Sequence, residues 1–326
     1  MRKFGRILGR VLLWGIIALA GVYVLGPVEP VDRNIRFDAA SLPPDLDAYL
    51  AEEEAKFADI RPDTEKRIFW KGEAGQKTPL SVVYLHGFSA SRQEISPVAE
   101  DVASALGANL FMTRLAGHGR SNDAMAEPTA GDWINDTAEA MAIGRRIGER
   151  VLVIATSTGG TLAAIAATNP ALSQDVAGMA LISPNFGIDP TATFFLGLPW
   201  VRQWGPLVVG QNRNFEPVNE KTALYWNTSY PTVAAVPMAA LVRYAVRLDY
   251  STAKMPALFL FSPKDQVVDP DATERVVAAW GGAKEVQYPV LTPQDDPNAH
   301  VITGDIRSPN QTAKFVSWIV DWAKGL

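Results

Sequence analysis

Short apolar runs alternate with longer amphipathic stretches over most of the chain. Most of these runs are rich in Val, Ile, Leu and Phe without polar alternation, which is typical of strands covered on both faces. We predict seven strands, at residues 67–71, 81–85, 109–114, 151–155, 178–183, 257–262 and 285–288.

The intervening stretches have the length and composition of helices, at residues 45–58, 96–106, 132–147, 159–168, 271–280 and after Ser308. In the final helix we expect Ser308 as the N-cap, Pro309 at the first helical position and Gln311 completing a capping box. Strands that alternate with helices form βαβ units. The pattern therefore predicts an α/β fold, with a mostly parallel sheet and helices on both faces.

Residues 185–250 do not follow this alternation. They are rich in Pro, Gly and aromatic residues, with 11 Phe, Trp and Tyr in this stretch, whereas the whole chain is 9% aromatic. We interpret them as an insertion over one edge of the sheet. It is either a packed helical subdomain, a lid that lines an apolar pocket, or both. The core would then comprise residues 31–184 and 251–326, with a cap at 185–250.

The first thirty residues form a segment of their own. Four cations, Arg2, Lys3, Arg6 and Arg10, precede the uncharged stretch 11–28. As a helix, these eighteen residues would span about 27 Å, close to the hydrocarbon thickness of a bilayer. Leading cations stay in the cytoplasm, so the rest of the chain would be exported to the periplasm or outside the cell.

A cleavable signal peptide is the alternative for residues 1–30. Ala18, Leu19 and Ala20 have the small-x-small form of a cleavage site, and cleavage there would release a secreted protein. The apolar run continues through 21–25, which favours an uncleaved membrane anchor.

Composition excludes several classes of function. With 30 Lys and Arg against 35 Asp and Glu, the net charge is -5, so nucleic acid is not an expected partner. Cysteine is absent, which excludes disulfides, thiolate metal sites and a cysteine nucleophile. The sequence has no cluster of His, Asp and Glu at ligand spacing, and we expect neither a metal nor a cofactor.

A candidate nucleophile lies where the fourth predicted strand meets a helix. The run 151–160 reads Val-Leu-Val-Ile-Ala-Thr-Ser-Thr-Gly-Gly and leads directly into the helical stretch. A serine at such a sharp bend is exposed at the carboxyl edge of the sheet and needs small residues two positions away. Ala155 and Gly159 satisfy this requirement around Ser157, although a serine that merely caps a helix would give a similar pattern.

A second loop strengthens the interpretation of Ser157 as a nucleophile. His86 and Gly87 follow the strand at 81–85 directly. A turn at Gly87 would aim the backbone N–H of Phe88 at the same point as the N–H of Thr158. Two such donors form the oxyanion hole that acyl transfer requires.

A serine nucleophile needs a histidine base, and the chain has three histidines. His300 follows the last strand and precedes the final helix, so we predict that it is the base. We interpret His86 as bonding backbone within its own loop. His118 lies in the glycine-flanked loop 114–121, where it would fix that loop, with a catalytic role as the alternative.

The acid that orients the base should also follow a late strand. Asp265 comes three residues after the strand at 257–262 and is our choice. The alternative is Asp269, which precedes Pro270 and is better placed to cap the next helix.

Five motif blocks in this order resemble the α/β-hydrolase superfamily, specifically its serine carboxylesterase and monoacylglycerol-lipase-like branch. The blocks are residues 85–89, 115–121, 155–159, 262–269 and 298–302. The chain order Ser157, Asp265, His300 is also that of α/β-hydrolases. The chain departs from the family at Ala155, where glycine is most common, and we expect a tighter elbow with the same chemistry.

The resemblance implies a serine hydrolase that cleaves carboxylic esters of apolar acyl groups through an acyl-enzyme. It also implies a variable cap at the position of residues 185–250. A thioesterase, amidase or C–C bond hydrolase would use the same triad, because the elbow does not specify the reaction. A catalytically silent, membrane-tethered binding protein is the alternative from another class.

Overall fold

The computed structural model of the protein describes residues 2–326, so Met1, the first residue of the predicted segment 1–30, lies outside the described residues. The strands are β1 Arg67–Phe69, β2 Thr78–Leu85, β3 Asn109–Met112, β4 Gly148–Thr156, β5 Val176–Ile182, β6 Asn212–Asn214, β7 Ser229–Pro231, β8 Ala257–Leu260 and β9 Lys284–Gln287.

The α-helices are α1 Arg2–Val24, α2 Leu46–Glu54, α3 Val98–Leu106, α4 Ala130–Ile147, α5 Thr158–Ala167, α6 Pro170–Ser173, α7 Pro190–Leu196, α8 Val201–Val209, α9 Glu220–Tyr225, α10 Ala235–Ala245, α11 Pro270–Ala279 and α12 Thr312–Ala323. Short 3₁₀ turns lie at Ala39–Ser41, Asp123–Ala126, Thr232–Ala234, Tyr250–Thr252 and Pro309–Gln311.

Each of the seven predicted runs contains a strand of one sheet. Within residues 2–326, this sheet has seven strands in the order β1-β3-β2-β4-β5-β8-β9. The edge strand β1 pairs antiparallel with β3, and the other pairs are parallel. The predicted α/β fold with a mostly parallel sheet is confirmed.

The continuous apolar character of the strands has a direct cause in the packing. Along β4, Val151 and Val153 belong to the core on one face of the sheet, whereas Leu152 and Ile154 belong to the core on the other. Helices α4 and α5 pack on the first face, and α3 and α12 on the second. Because both faces of the strand are buried, successive residues are apolar and the sequence does not alternate between apolar and polar residues.

The insertion between β5 and β8 is mainly helical. It contains α7 to α10 and a two-stranded antiparallel sheet of β6 and β7, in which Arg213 pairs with Tyr230. Helix α10 joins the core on the sheet through Leu241 and Ala245. Helices α7 and α8 and the small sheet contribute residues to the site described below.

Helix α1 differs from every other element in its exposure. The side chains of residues 4–20 are all exposed, and in the described part of the chain it is the one helix long and apolar enough to cross a membrane. By length and composition alone, it fits either a membrane span or a signal sequence.

The predicted start of the final helical segment is confirmed in position, since Ser308 precedes a turn that begins at Pro309, but the predicted capping bonds are wrong. The Ser308 side chain makes no capping bond; its hydroxyl donates to the carbonyl of Val301 (2.6 Å) and accepts the N–H of Asp296 (3.0 Å). Pro309–Gln311 is a single 3₁₀ turn, after which α12 begins. The serine therefore fixes the preceding loop instead of the helix.

Candidate active site

Ser157 lies at a strained bend between β4 and α5. Its dihedral angles are φ 52° and ψ −116°, although it is not a glycine, and it is 6% exposed. A Cβ at Gly159 would lie 2.1 Å from the carbonyl oxygen of Leu85, and one at Gly160 would lie 2.7 Å from the Cβ of Pro184. The close approach of α5 to the sheet therefore explains why these two positions are glycines.

The structure brings the three predicted residues of the triad together. His300 Nε2 lies 3.0 Å from Ser157 Oγ, across 143 residues of sequence. On the other side of the ring, Nδ1 lies 2.8 Å from Asp265 Oδ2. The side chains of His300 and Asp265 are 9% and 1% exposed, so this relay is shielded from water.

Hydrogen bonds around Asp265 fix the tautomer of His300. Asp265 Oδ1 accepts the N–H groups of Val267 (2.8 Å) and Val268 (3.0 Å), so its other oxygen faces the imidazole. A carboxylate can only accept here, so Nδ1 carries the proton and Nε2 is left to accept from the Ser157 hydroxyl.

Burial lowers the pKa of His300, but the charge of Asp265 and its hydrogen bond outweigh this effect, aided by Glu94 and Asp296. The net result raises the pKa above its ordinary value. The imidazole is therefore a stronger base than an isolated histidine, which suits it to take a proton from a serine.

The alternatives from the sequence occupy other places. Asp269 caps α11 by accepting the N–H of Asp271 (2.9 Å). His118 is buried, its Nδ1 lies 3.0 Å from the carbonyl oxygen of Ala116, and burial lowers its pKa to about 4. His86 accepts the N–H of Leu115 at Nε2 (3.1 Å). All three stabilise local structure.

The loop after β2 lies directly against the serine. A Cβ at Gly87 would lie 3.1 Å from Ser157 Cβ. Among residues 2–326, the backbone N–H of the next residue, Phe88, has no hydrogen-bond acceptor. Thr158 is the first residue of α5, where N–H groups have no acceptor within the helix. Both predicted oxyanion donors are therefore free for a ligand.

Glu94 is a buried carboxyl that the sequence did not single out. It is 2% exposed and lines the same cavity as Ser157 and His300. Its Oε2 accepts the N–H of Gly87 (2.7 Å) and the hydroxyl of Tyr84 (3.0 Å). Burial raises the pKa of Glu94, against the opposing effects of these donors and of His300.

Asp296 fixes the loop that carries the histidine. It accepts the backbone N–H groups of His300 (3.1 Å) and Val301 (2.8 Å) and pairs with Arg307. Burial would raise its pKa, but Arg307 and the two N–H groups outweigh burial and lower it. Ala299, with φ 53°, marks the sharp turn that this carboxylate stabilises.

A cavity of about 880 Å³ opens above Ser157 and His300, within the usual size of a ligand pocket. Most of its wall is apolar, and residues of the insertion supply much of it. The aromatic side chains on the wall are Phe88, Phe195, Trp204, Phe215, Trp226 and Tyr230. Within the described residues, no group of three or more His, Asp and Glu is placed to hold a metal ion.

Comparison with known proteins finds a family that matches most of the chain. The family described as serine aminopeptidase, S33, matches residues 76–290. The chain is also similar to the thermostable monoacylglycerol lipase of Bacillus sp. (strain H-257). The two are 27% identical over 193 residues, which cover 59% of this chain and 73% of the relative.

Solved structures share the fold. One, from work on the metagenome-derived lipolytic enzymes LipS and LipT, has a TM-score of 0.68 at 22% identity and covers 82% of this chain and 100% of its own. Monoglyceride lipase of Saccharomyces cerevisiae, as a soluble variant with a substrate analogue, has a TM-score of 0.59 at 11% identity. That match covers 80% of this chain and 91% of the yeast chain. At these identities the similarity shows the fold.

Proposed function

The chain belongs to the serine aminopeptidase S33 family of α/β-hydrolases, and on that premise we propose that it cleaves carboxylic esters of apolar acyl groups through Ser157, His300 and Asp265. The observation that carries the proposal is the continuous relay from Asp265 through His300 to Ser157, with bonds of 2.8 and 3.0 Å. Such a relay is the recognised machinery of nucleophilic acyl transfer.

In the first half of the reaction His300 Nε2 takes the proton of Ser157 while Oγ attacks the carbonyl carbon of the ester. The negative charge on the carbonyl oxygen is held by the N–H groups of Phe88 and Thr158. When the carbon–oxygen bond breaks, the imidazolium gives its proton to the leaving alcohol, and an acyl group remains on Ser157.

In the second half, water replaces the alcohol. His300 takes a proton from the water, and the resulting hydroxide attacks the carbonyl carbon of the acyl-enzyme. When the bond to Ser157 breaks, His300 returns the proton to Oγ and the carboxylic acid leaves. Asp265 keeps its charge throughout and stabilises the imidazolium that forms twice in each cycle. The raised pKa of His300 favours this imidazolium.

The cavity supports an apolar acyl group as the preferred substrate. Its wall is mainly aliphatic and aromatic, and its size suits a chain of many carbons. The similarity to a monoacylglycerol lipase, at 27% identity, supports the same class of substrate.

We also propose how the chain is divided into a catalytic core, a cap and a membrane anchor. Residues 31–184 and 251–326 form the hydrolase core, and residues 185–250 form the cap. Residues 1–30 anchor the enzyme in a membrane with its catalytic part exported. A secreted form would arise if the leading segment were cleaved.

A panel of p-nitrophenyl esters of graded chain length, tested on the full chain in detergent micelles, measures this activity. We expect cleavage that increases from acetyl to longer acyl groups, is abolished by Ser157→Ala and is retained by Ser91→Ala. Ser91 is a buried serine that does not line the cavity. Cleavage that survives Ser157→Ala would refute the assigned nucleophile.

The same panel separates the alternatives. A thioester and an aminoacyl p-nitroanilide should be cleaved more slowly than the matching ester. A faster reaction with the anilide would instead favour the peptidase activity in the family description. A folded chain that cleaves none of these substrates would favour a silent binding protein.

A further inference from the structure

Exposed apolar side chains are concentrated at one place outside α1. We define the cap rim as the six large, apolar and exposed residues of α7 and α8, including Trp200 just before α8: Phe194, Phe195, Trp200, Leu207, Val208 and Val209. Leu207 and Val208 are 80% and 70% exposed. A cluster of this kind on a protein surface marks a binding surface for a protein or a membrane.

The cap rim is directly attached to the end of the membrane helix. The indole N–H of Trp200 donates to the carbonyl of Val22 in the last turn of α1 (3.1 Å), and its backbone N–H donates to Pro27 (3.0 Å). Gly26 permits this contact, because a Cβ there would lie 2.1 Å from the indole nitrogen. Trp200 has a φ of 62°, an uncommon conformation for a large residue.

An ion pair adds a second attachment just beyond. Arg202 Nε and Nη2 contact the two carboxylate oxygens of Glu29 at 2.6 and 2.7 Å, and the Glu29 side chain is 7% exposed. A bidentate pair of this kind has a defined geometry, unlike most surface pairs. Together Trp200 and Arg202 clasp the cap to residues 22–29.

The cap rim also forms part of the opening of the catalytic cavity. Phe195, Val208 and Val209 line the cavity that contains Ser157, yet each is about half exposed or more. A ligand that crosses the rim therefore enters the cavity along an apolar surface.

From these contacts we infer that the cap rim dips into the same bilayer that holds α1, and that lipid substrates enter the cavity from that bilayer. We propose a bilayer as the partner of the rim because the rim is continuous with α1. Trp200 bonds to this apolar helix itself, and indoles favour the membrane–water interface. The clasp holds the rim at this depth. The entry route rests on the proposed function, whereas the depth of the rim does not.

Because the chain has no cysteine, single nitroxide labels can measure depth in the intact protein. Phe194→Cys and Leu207→Cys, labelled in the full chain in phosphatidylcholine vesicles, should collide with oxygen more than with a water-soluble nickel chelate. The control is Val290→Cys, an apolar position outside the rim that is 77% exposed, and it should respond mainly to the chelate.

Two results would overturn the inference. Rim labels that behave like the Val290 control would place the rim in water. Rim labels that neither reagent reaches would show that a second copy of the chain, or another protein, covers the rim. Neither outcome depends on enzymatic activity.

The clasp is tested by comparing two substrates. Arg202→Gln should lower the hydrolysis of a long-chain ester in vesicles several-fold and leave a soluble short-chain ester unaffected. Reversal of the pair, Glu29→Arg with Arg202→Glu, should recover part of the loss. If Arg202→Gln lowered the hydrolysis of both substrates equally, the pair would have a merely structural role. If the unaltered chain hydrolysed neither substrate through Ser157, the proposed function would be refuted instead.

Discussion

Replacing Asp265 by asparagine should move the ring proton of His300 from Nδ1 to Nε2 without changing the shape of the site. The Asp265 oxygen that accepts from Val267 and Val268 is fixed by bonds of 2.8 and 3.0 Å. In Asp265→Asn the amide oxygen should keep those bonds, so its NH₂ group faces His300 Nδ1. That nitrogen must then accept, and the ring proton moves to Nε2, where it points at Ser157.

The size of the effect follows from this tautomer. An imidazole that carries its proton on Nε2 cannot take the proton of Ser157, and the corresponding change in a serine protease lowers kcat on the order of 10⁴-fold. At ~1.4 kcal/mol per factor of ten, this amounts to about 5.5 kcal/mol of lost transition-state stabilisation.

Steady-state hydrolysis of a p-nitrophenyl ester measures the loss. Asp269→Asn is the matched control, because Asp269 caps α11 and asparagine caps helices equally well. It should keep activity within a few-fold of the unaltered chain. A loss of kcat near 10⁴-fold is expected for Asp265→Asn. If this variant instead retained more than about a tenth of the kcat of the unaltered chain, the Asp265 carboxylate would not set the tautomer of His300.

Two further predictions concern the loop beside the serine. In Gly87→Ala the new methyl group would lie 2.6 Å from a Glu94 carboxylate oxygen, so the loop must shift and kcat should fall on the order of 10²–10³-fold, as for a lost oxyanion donor. The control is Gly72→Ala, which should leave kcat unchanged because its Cβ meets nothing within 4 Å. If Gly87→Ala and Gly72→Ala changed kcat equally, the role of the Gly87 loop would be contradicted. In Glu94→Gln the pKa of His300 should fall, because Glu94 raises it. Since His300 acts in its neutral form, the acid limb of kcat/KM should move to lower pH, whereas Glu100→Gln, a carboxyl bonded to Ser96 outside the cavity, should not move it.

The sheet and the triad were predictable because both follow from the order of the strands. Parallel strands place their carboxyl ends on one edge, so Ser157, Asp265 and His300 had to converge there once the apolar runs were identified as parallel strands. The strained elbow was also visible, since the close contacts of α5 require glycine at 159 and 160.

The supporting carboxylates were not predictable from the same pattern. Glu94 lies in a polar stretch before α3 that resembles an exposed loop, and only the packed structure buries it beside Gly87. Asp296 likewise follows other polar residues, and its bonds to the His300 loop depend on tertiary contacts. Local sequence carries no signal for either contact.

The clasp between α1 and the cap was hidden for a different reason. Glu29 and Arg202 are 173 residues apart, and neither residue belongs to a motif that would identify it as half of an ion pair. Their pairing depends on where the insertion folds back over the sheet. The sequence predicted an insertion at 185–250 but not its attachment to residues 22–29.

Reaction of the full chain with a fluorophosphonate, followed by mass mapping of the modified peptide, tests the central claim most directly. We predict one adduct, on Ser157, that forms rapidly in the unaltered chain and is lost in His300→Ala even though the serine remains. A folded chain that is not modified, or that is modified equally well without the imidazole, would contradict the assignment of Ser157 as a nucleophile activated by His300.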